Sequence, residues 1–156
     1  MKKIMAIDQS TSKSGYAIFS NNQLGEWGII RPSKKINENN MKSMFIRIIK
    51  KIEIENPDIV LIEDVYMKKG KTFNVQTHKT LANLQGMLIA YLMLHQIEYQ
   101  IIHPQTWKNK VVGKKKISKE ETQSFLNKRY SIIFKEDEAD AICIGLYYLS
   151  ILKATS

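Results

Sequence analysis

Four carboxylates stand out in a chain that is otherwise strongly basic: Asp8 in Ile-Asp-Gln-Ser, Glu63 in Leu-Ile-Glu-Asp, and Asp137 with Asp140 in Asp-Glu-Ala-Asp. Asp8 and Glu63 each close a short apolar run, and Asp137 and Asp140 stand three apart at the head of a helical pattern. Acids gathered in one place repel one another unless a cation lies between them, and magnesium is the usual partner of such oxygen donors. Four carboxylates could hold two ions about 3.5–4 Å apart, an arrangement suited to phosphodiester hydrolysis. Manganese takes the same oxygen ligands and could substitute. Each acid alone has an ordinary explanation. Asp8 could close a turn, and Asp137 and Asp140 suit the positive end of a helix dipole. Glu63 says more, because a carboxylate ending an apolar strand is costly unless paired. The combination favours the metal reading.

The remaining charge points to a polyanion. Lys and Arg number 24 against 15 Asp and Glu, a net charge of +9, and such an excess favours phosphate neutralisation with counterion release. On charge alone, a Lys-rich solvated surface is an equal alternative. No Asp or Glu occurs from Val65 to Ile97, whereas Lys68, Lys69, Lys71 and Lys79 do. Tyr66, just past a strand end, suits stacking on exposed bases; Phe73 reads as core. A second basic stretch holds Lys108, Lys110, Lys114, Lys115, Lys116 and Lys119. Such a run is ordinarily a solvated loop, but here it leads into a capped helix whose N-terminus could attract phosphate. Trp107 reads as an apolar anchor. The three histidines lack zinc-like spacing: His78 and His95 read as surface or helix-packing residues, His103 as part of a turn.

These side chains need a scaffold, and the pattern supplies an α/β one. A chain of 156 residues suits a single domain over 1–156. Ile4 to Ile7 reads as a buried strand. Tyr16 to Phe19 and Leu24 to Ile30 are strands joined by a tight Asn21-Asn22 turn, so the first three form an antiparallel meander. Met41, Met44, Phe45, Ile48, Ile49 and Ile52 recur at helix spacing, with Asn39 or Asn40 as cap and Pro57 as stop. Ile59 to Ile62 is an interior parallel strand. A helix over Thr77 to His95 and a strand over Tyr99 to Ile102 follow. Ser118-Lys-Glu-Glu121 is a capping box opening the next helix, and a last helix starts near Glu136. The order is β-β-β-α-β-α-β-α-α. If the first and fourth strands are parallel neighbours, Asp8 and Glu63 emerge on one rim of the sheet, where open α/β sheets bind ligands.

Other classes fall away. The lone Cys143 permits no internal disulfide and lies in an apolar helical stretch, so it reads as packing. The first strand is broken by Asp8 and is no signal peptide, and the apolar run Gly86 to Leu94 is too short to cross a bilayer. A soluble, cytoplasmic protein with no membrane partner is expected.

At these motifs the chain resembles the RuvC-type Holliday-junction resolvases of the ribonuclease H-like superfamily. The similar stretches are Ala-Ile-Asp8-Gln-Ser-Thr-Ser-Lys-Ser-Gly15-Tyr-Ala-Ile, Leu-Ile-Glu63-Asp-Val-Tyr66-Met, Gln105-Thr-Trp-Lys108-Asn-Lys-Val-Val-Gly113 with the lysines through Lys119, and Asp137-Glu-Ala-Asp140-Ala-Ile. They follow the family's order and span essentially the whole chain. The resemblance implies a ribonuclease H-like fold, a five-stranded mixed sheet flanked by helices. It implies magnesium at Asp8, Glu63, Asp137 and Asp140, and contact of Tyr66 with unstacked bases near the junction centre. It places Lys108 and Lys119 near the scissile phosphate or backbone, and it implies a homodimer acting on four-way junctions and other branched DNA. Gln9-Ser10 stands where bacterial members carry Pro-Gly, which alters the loop beside the metal without removing a ligand. The short, Lys/Ile/Asn-rich chain suggests a bacteriophage version. A non-catalytic branched-DNA-binding protein is the first alternative. An actin-like phosphotransferase fragment, suggested by Ile-Asp8-Gln-Ser-Thr-Ser, is the second, for which the chain is too short.

Overall fold

A computed structural model describes residues 2–33, 39–66, 74–114 and 117–155. Five strands, Lys3–Asp8 (β1), Ser14–Ser20 (β2), Gln23–Ile30 (β3), Ile59–Glu63 (β4) and Glu98–Ile102 (β5), form one sheet in the order β3-β2-β1-β4-β5. The meander β1–β2–β3 is antiparallel, while β4 lies parallel to both β1 and β5. Asn21 and Asn22 take φ of 55° and 63°, the paired left-handed geometry that a two-residue hairpin turn demands.

The two central strands are apolar because helices cover both faces. Ile4, Ala6, Ile59 and Leu61 face one core, which Glu136–Thr155 (α5) and Lys119–Tyr130 (α4) complete. Met5, Ile7, Val60 and Ile62 face the other, against Asn40–Glu55 (α1) and Val75–Leu94 (α2). Alternate residues of one strand thus serve opposite layers. Cys143 is fully buried in the α5 core, as its surroundings suggested.

Local chemistry sets the helix ends. Asn39 caps α1 by accepting from the Met41 and Lys42 N–H groups, and Asn56 closes it in the left-handed region before Pro57. Ser118 and Glu121 form the expected capping box on α4. Glu138 caps α5, accepting from the Lys135 N–H at 2.8 Å.

One stretch departs from the expected order. After β5 the chain forms a one-turn helix, Pro104–Trp107 (α3), and a π-helical segment, Lys108–Val112, ended by Gly113 at φ 80°. Pro104 occupies the first turn and the His103 Nδ1 accepts from the Gln105 N–H, so His103 is a cap rather than a turn residue. A helix of four residues carries no periodicity to read. Among the described residues no helix is long and apolar enough to cross a membrane.

Candidate active site

The register decides where the acids emerge. Ile7 pairs with Ile62 across the parallel β1–β4 ladder, so Asp8 and Glu63, one residue further on, leave the sheet at the same rim. Glu63 in turn stands opposite Ile102, which brings α3 and the π-helical segment to that rim. The first turn of α5 is placed there by Gly15, the partner of Asp8 in the β1–β2 ladder. A Cβ on Gly15 would collide with the Asp137 carbonyl oxygen. Absence of a side chain here is what lets the helix N-terminus reach the acids.

A cavity of about 430 Å³ opens on this rim, and Asp8, Glu63 and Asp140 line it together with Lys108, Lys119 and Tyr66. Burial, followed by the charges of Glu63 and Asp140, holds the Asp8 carboxyl well above the usual range, although Asp8 keeps some accessible surface. A hydrogen bond to Glu63 and the charge of Asp137 act in the same direction. Asp140, 9% exposed, is raised to about 7 by burial and by Glu63, against the opposing pull of Lys108 and Lys119. The donor set is all oxygen and carries more negative charge than its surroundings neutralise. A hard divalent cation fits that chemistry. Among the described residues, though, no three acidic or histidine side chains already stand in an arrangement that could clasp an ion.

The remaining expected residues divide. Asp137 is half-buried and acts on Asp8 through its charge without lining the cavity. Lys108 lies 5.2 Å from the Trp107 ring centroid, and Lys119 pairs with Glu136 at 2.7 Å. Lys114 turns away from the cavity to Glu121. Tyr66 stands edge-on to His103, ring centroids 4.9 Å apart. Lys68, Lys69, Lys71, Phe73, Lys115 and Lys116 lie outside the described residues. His78, read from sequence as surface or helix packing, lines the cavity from α2.

Two residues of the site were not singled out by sequence reasoning as site residues. Trp107 is fully buried, as an anchor should be, but its Nε1–H also donates to Glu63 Oε1 at 2.8 Å. Gln85 of α2 accepts from Gln9 Nε2 at 2.7 Å and from the Val65 N–H at 3.0 Å through one oxygen. An uncharged amide between Leu84 and Leu88 of an otherwise apolar helix face was the available signal for Gln85. For Trp107 it was the indole donor, which a buried tryptophan must satisfy.

The strand order and the helices on both faces define a ribonuclease H-like fold. Among solved structures, the chain matches T. thermophilus RuvC in complex with Holliday junction substrate at a TM-score of 0.79 and 13% identity, covering 99% of this chain and 97% of that one. It matches the yeast mitochondrial Holliday junction resolvase Ydc2 at 0.65 and 17% identity, covering 98% of this chain and 81% of the other. In sequence it is 26% identical to a crossover junction endodeoxyribonuclease RuvC from Dictyoglomus thermophilum, over 94% of this chain and 95% of that protein. It is 31% identical to the one from Chlamydia caviae, over 92% and 89%. The profile of the family described as crossover junction endodeoxyribonuclease RuvC matches residues 4–148, and the chain belongs to that family.

Proposed function

We propose that this protein is a divalent-metal-dependent, structure-selective endodeoxyribonuclease that resolves four-way DNA junctions. The observation that carries this reading is the convergence of Asp8, Glu63 and Asp140 in one cavity with Lys108 and Lys119 on its wall. Bound at Asp8, Glu63, Asp137 and Asp140, two magnesium ions would supply an activated water for in-line attack and stabilisation of the departing 3′-oxygen, and manganese would serve in their place. Burial of Asp140 and the closeness of Asp8 to Glu63 give the acids a reason to take up cations rather than stay ionised alone. Lys108 and Lys119 neutralise the phosphate that approaches, and Tyr66 offers a ring to an unstacked base. Water is the nucleophile and the 3′-oxygen the leaving group, so the products carry 5′-phosphate and 3′-hydroxyl ends and no side chain forms a covalent link.

Residues 1–156 act as one nuclease domain in this reading, working in the cytoplasm. A four-way junction has two-fold symmetry, so two strands are cut by a homodimer with one site per protomer. Met93 and Leu94, 63% and 82% exposed at the end of α2, suit that contact; Tyr91 does not, being packed against the α1–α2 core.

One observation favours a second reading, a junction-binding protein that does not cut: among the described residues no three acids are arranged to clasp an ion. A single assay separates the two. Synthetic four-way junctions, three-way junctions, forks and single strands are incubated with protein and magnesium. Cutting is expected on the four-way junction, and Asp8→Asn or Glu63→Gln should lower it by at least about 10²-fold with junction binding retained. Full cleavage by either variant removes these residues from the reaction, and no cleavage by the unsubstituted protein leaves the binding role.

A further inference from the structure

We propose that Gln85 is a positioning residue whose amide ties the loop after Asp8 to the loop after Glu63, fixing the separation of the two carboxyls. The inference rests on reading that pair as the cation-holding centre. Three contacts make the tie. Gln85 Oε1 accepts both from Gln9 Nε2, beside Asp8, and from the Val65 N–H, two residues past Glu63. Gln85 Nε2 donates to Asp64 Oδ1 at 3.3 Å. A weaker fourth contact runs directly between the loops, from Gln9 Nε2 to the Glu63 carbonyl oxygen at 3.4 Å.

Such a tie has work to do. Asp8 and Glu63 leave adjacent parallel strands at positions where the ladder itself gives way to loops. When both carboxyls are ionised, as cation binding requires, their like charges push the loops apart. The Gln85 oxygen sits between the two loops on a rigid twenty-residue helix and bonds both. Gln9 gives up something to take part. It is 8% exposed, and its own Oε1 is buried with no hydrogen-bond partner among the described residues. A buried acceptor left bare is unfavourable, so the Gln9 amide is oriented by what its Nε2 reaches.

The Gln9–Gln85 contact explains why a Gln at position 9 suits this chain. A proline there could offer no side-chain donor to α2. Here the loop conformation is held from outside, by the helix.

The test uses Gln85→Met and Gln9→Met, which keep side-chain length and helix propensity but remove the amides, and the double variant. Manganese binding to the metal-free protein is measured by calorimetry, alongside melting temperature, junction affinity and single-turnover cleavage across a magnesium series. Each single variant should weaken manganese binding about tenfold, within the range that supporting contacts to ligands command. Half-maximal cleavage should need correspondingly more magnesium, with near-normal rate at saturation and unchanged junction affinity. The double variant should lose clearly less than the sum of the single losses, because both single variants remove the Gln9–Gln85 contact. Unchanged manganese affinity, or fully additive losses, would overturn the proposal, as would a lower melting temperature with the metal response intact. No manganese binding by the unsubstituted protein defeats the centre itself, a separate outcome that takes this inference with it.

Discussion

Glu63 owes its orientation to an indole. Trp107 is wholly enclosed, so its N–H has to find an acceptor, and it finds Glu63 Oε1 at 2.8 Å. Trp107→Phe keeps most of the buried volume and deletes the donor; it should cost about 1 kcal/mol of stability and lower cleavage more than junction binding. Equal losses in a denaturant titration and in cleavage would reduce Trp107 to an anchor. The acids make a second prediction at this scale. Asp8 and Asp140 both have folded-state carboxyl values above the ordinary 3.8, so folding favours their protonated forms. The contribution of each to stability is complete below 3.8; that of Asp140 is lost as pH rises through about 7, and that of Asp8 as pH rises through its own raised value. Metal-free protein should therefore melt at a falling temperature across that window, and Asp140→Asn should flatten the fall. Magnesium should raise the melting temperature strongly at about pH 8 and barely at about pH 5, because cations compete with protons for the same oxygens. Thermal scans with chelator and with magnesium check both statements; a magnesium effect equal at both pH values would contradict them.

At the scale of elements, the site is an outcome of two close approaches. The parallel β1–β4 ladder sets Asp8 beside Glu63, and Gly15 admits the first turn of α5. Gly15→Ala would force the α5 N-terminus outward, costing about 1–3 kcal/mol as an overpacked interface, and the cleavage loss should exceed what the stability loss explains. Gly86, with nothing near its missing Cβ, provides the control: Gly86→Ala should leave cleavage unchanged and slightly raise the melting temperature. Much of this scaffold was legible in the chain. Asn21-Asn22, the Ser118–Glu121 box and the apolar runs before Asp8 and Glu63 each state their element locally. What stayed hidden depends on contacts between distant segments. Trp107 and Glu63 are 44 positions apart and Gln9 and Gln85 are 76 apart, and no local pattern announces such a pair. The pairing of Lys114 was hidden for a related reason: the loop lysines look alike in sequence, and only the fold sets this one against Glu121.

Across the whole molecule, the net charge of +9 should make junction binding fall steeply with salt, but the cations are not equivalent. Lys2, Lys3, Lys51, Lys114 and Lys119 are engaged by carboxylates, whereas Lys108 stands at the cavity over the Trp107 ring. Each phosphate that a lysine neutralises contributes about 0.9 to the negative slope of log affinity against log salt. Lys108→Gln should therefore reduce the slope by about 0.9, and Lys119→Gln by less, because Glu136 already offsets its charge. Lys108 has a second duty that this measurement does not see. It holds the Asp140 carboxyl down, so its removal raises that group further and should shift the rising limb of the cleavage–pH profile to higher pH. Binding and titration thus report on one lysine independently. A changed salt slope with an unmoved pH profile would confine Lys108 to the phosphate, and a moved profile with an unchanged slope would confine it to Asp140. In the proposed function both move together, since Lys108 would meet the phosphate from the same cavity wall from which it acts on Asp140.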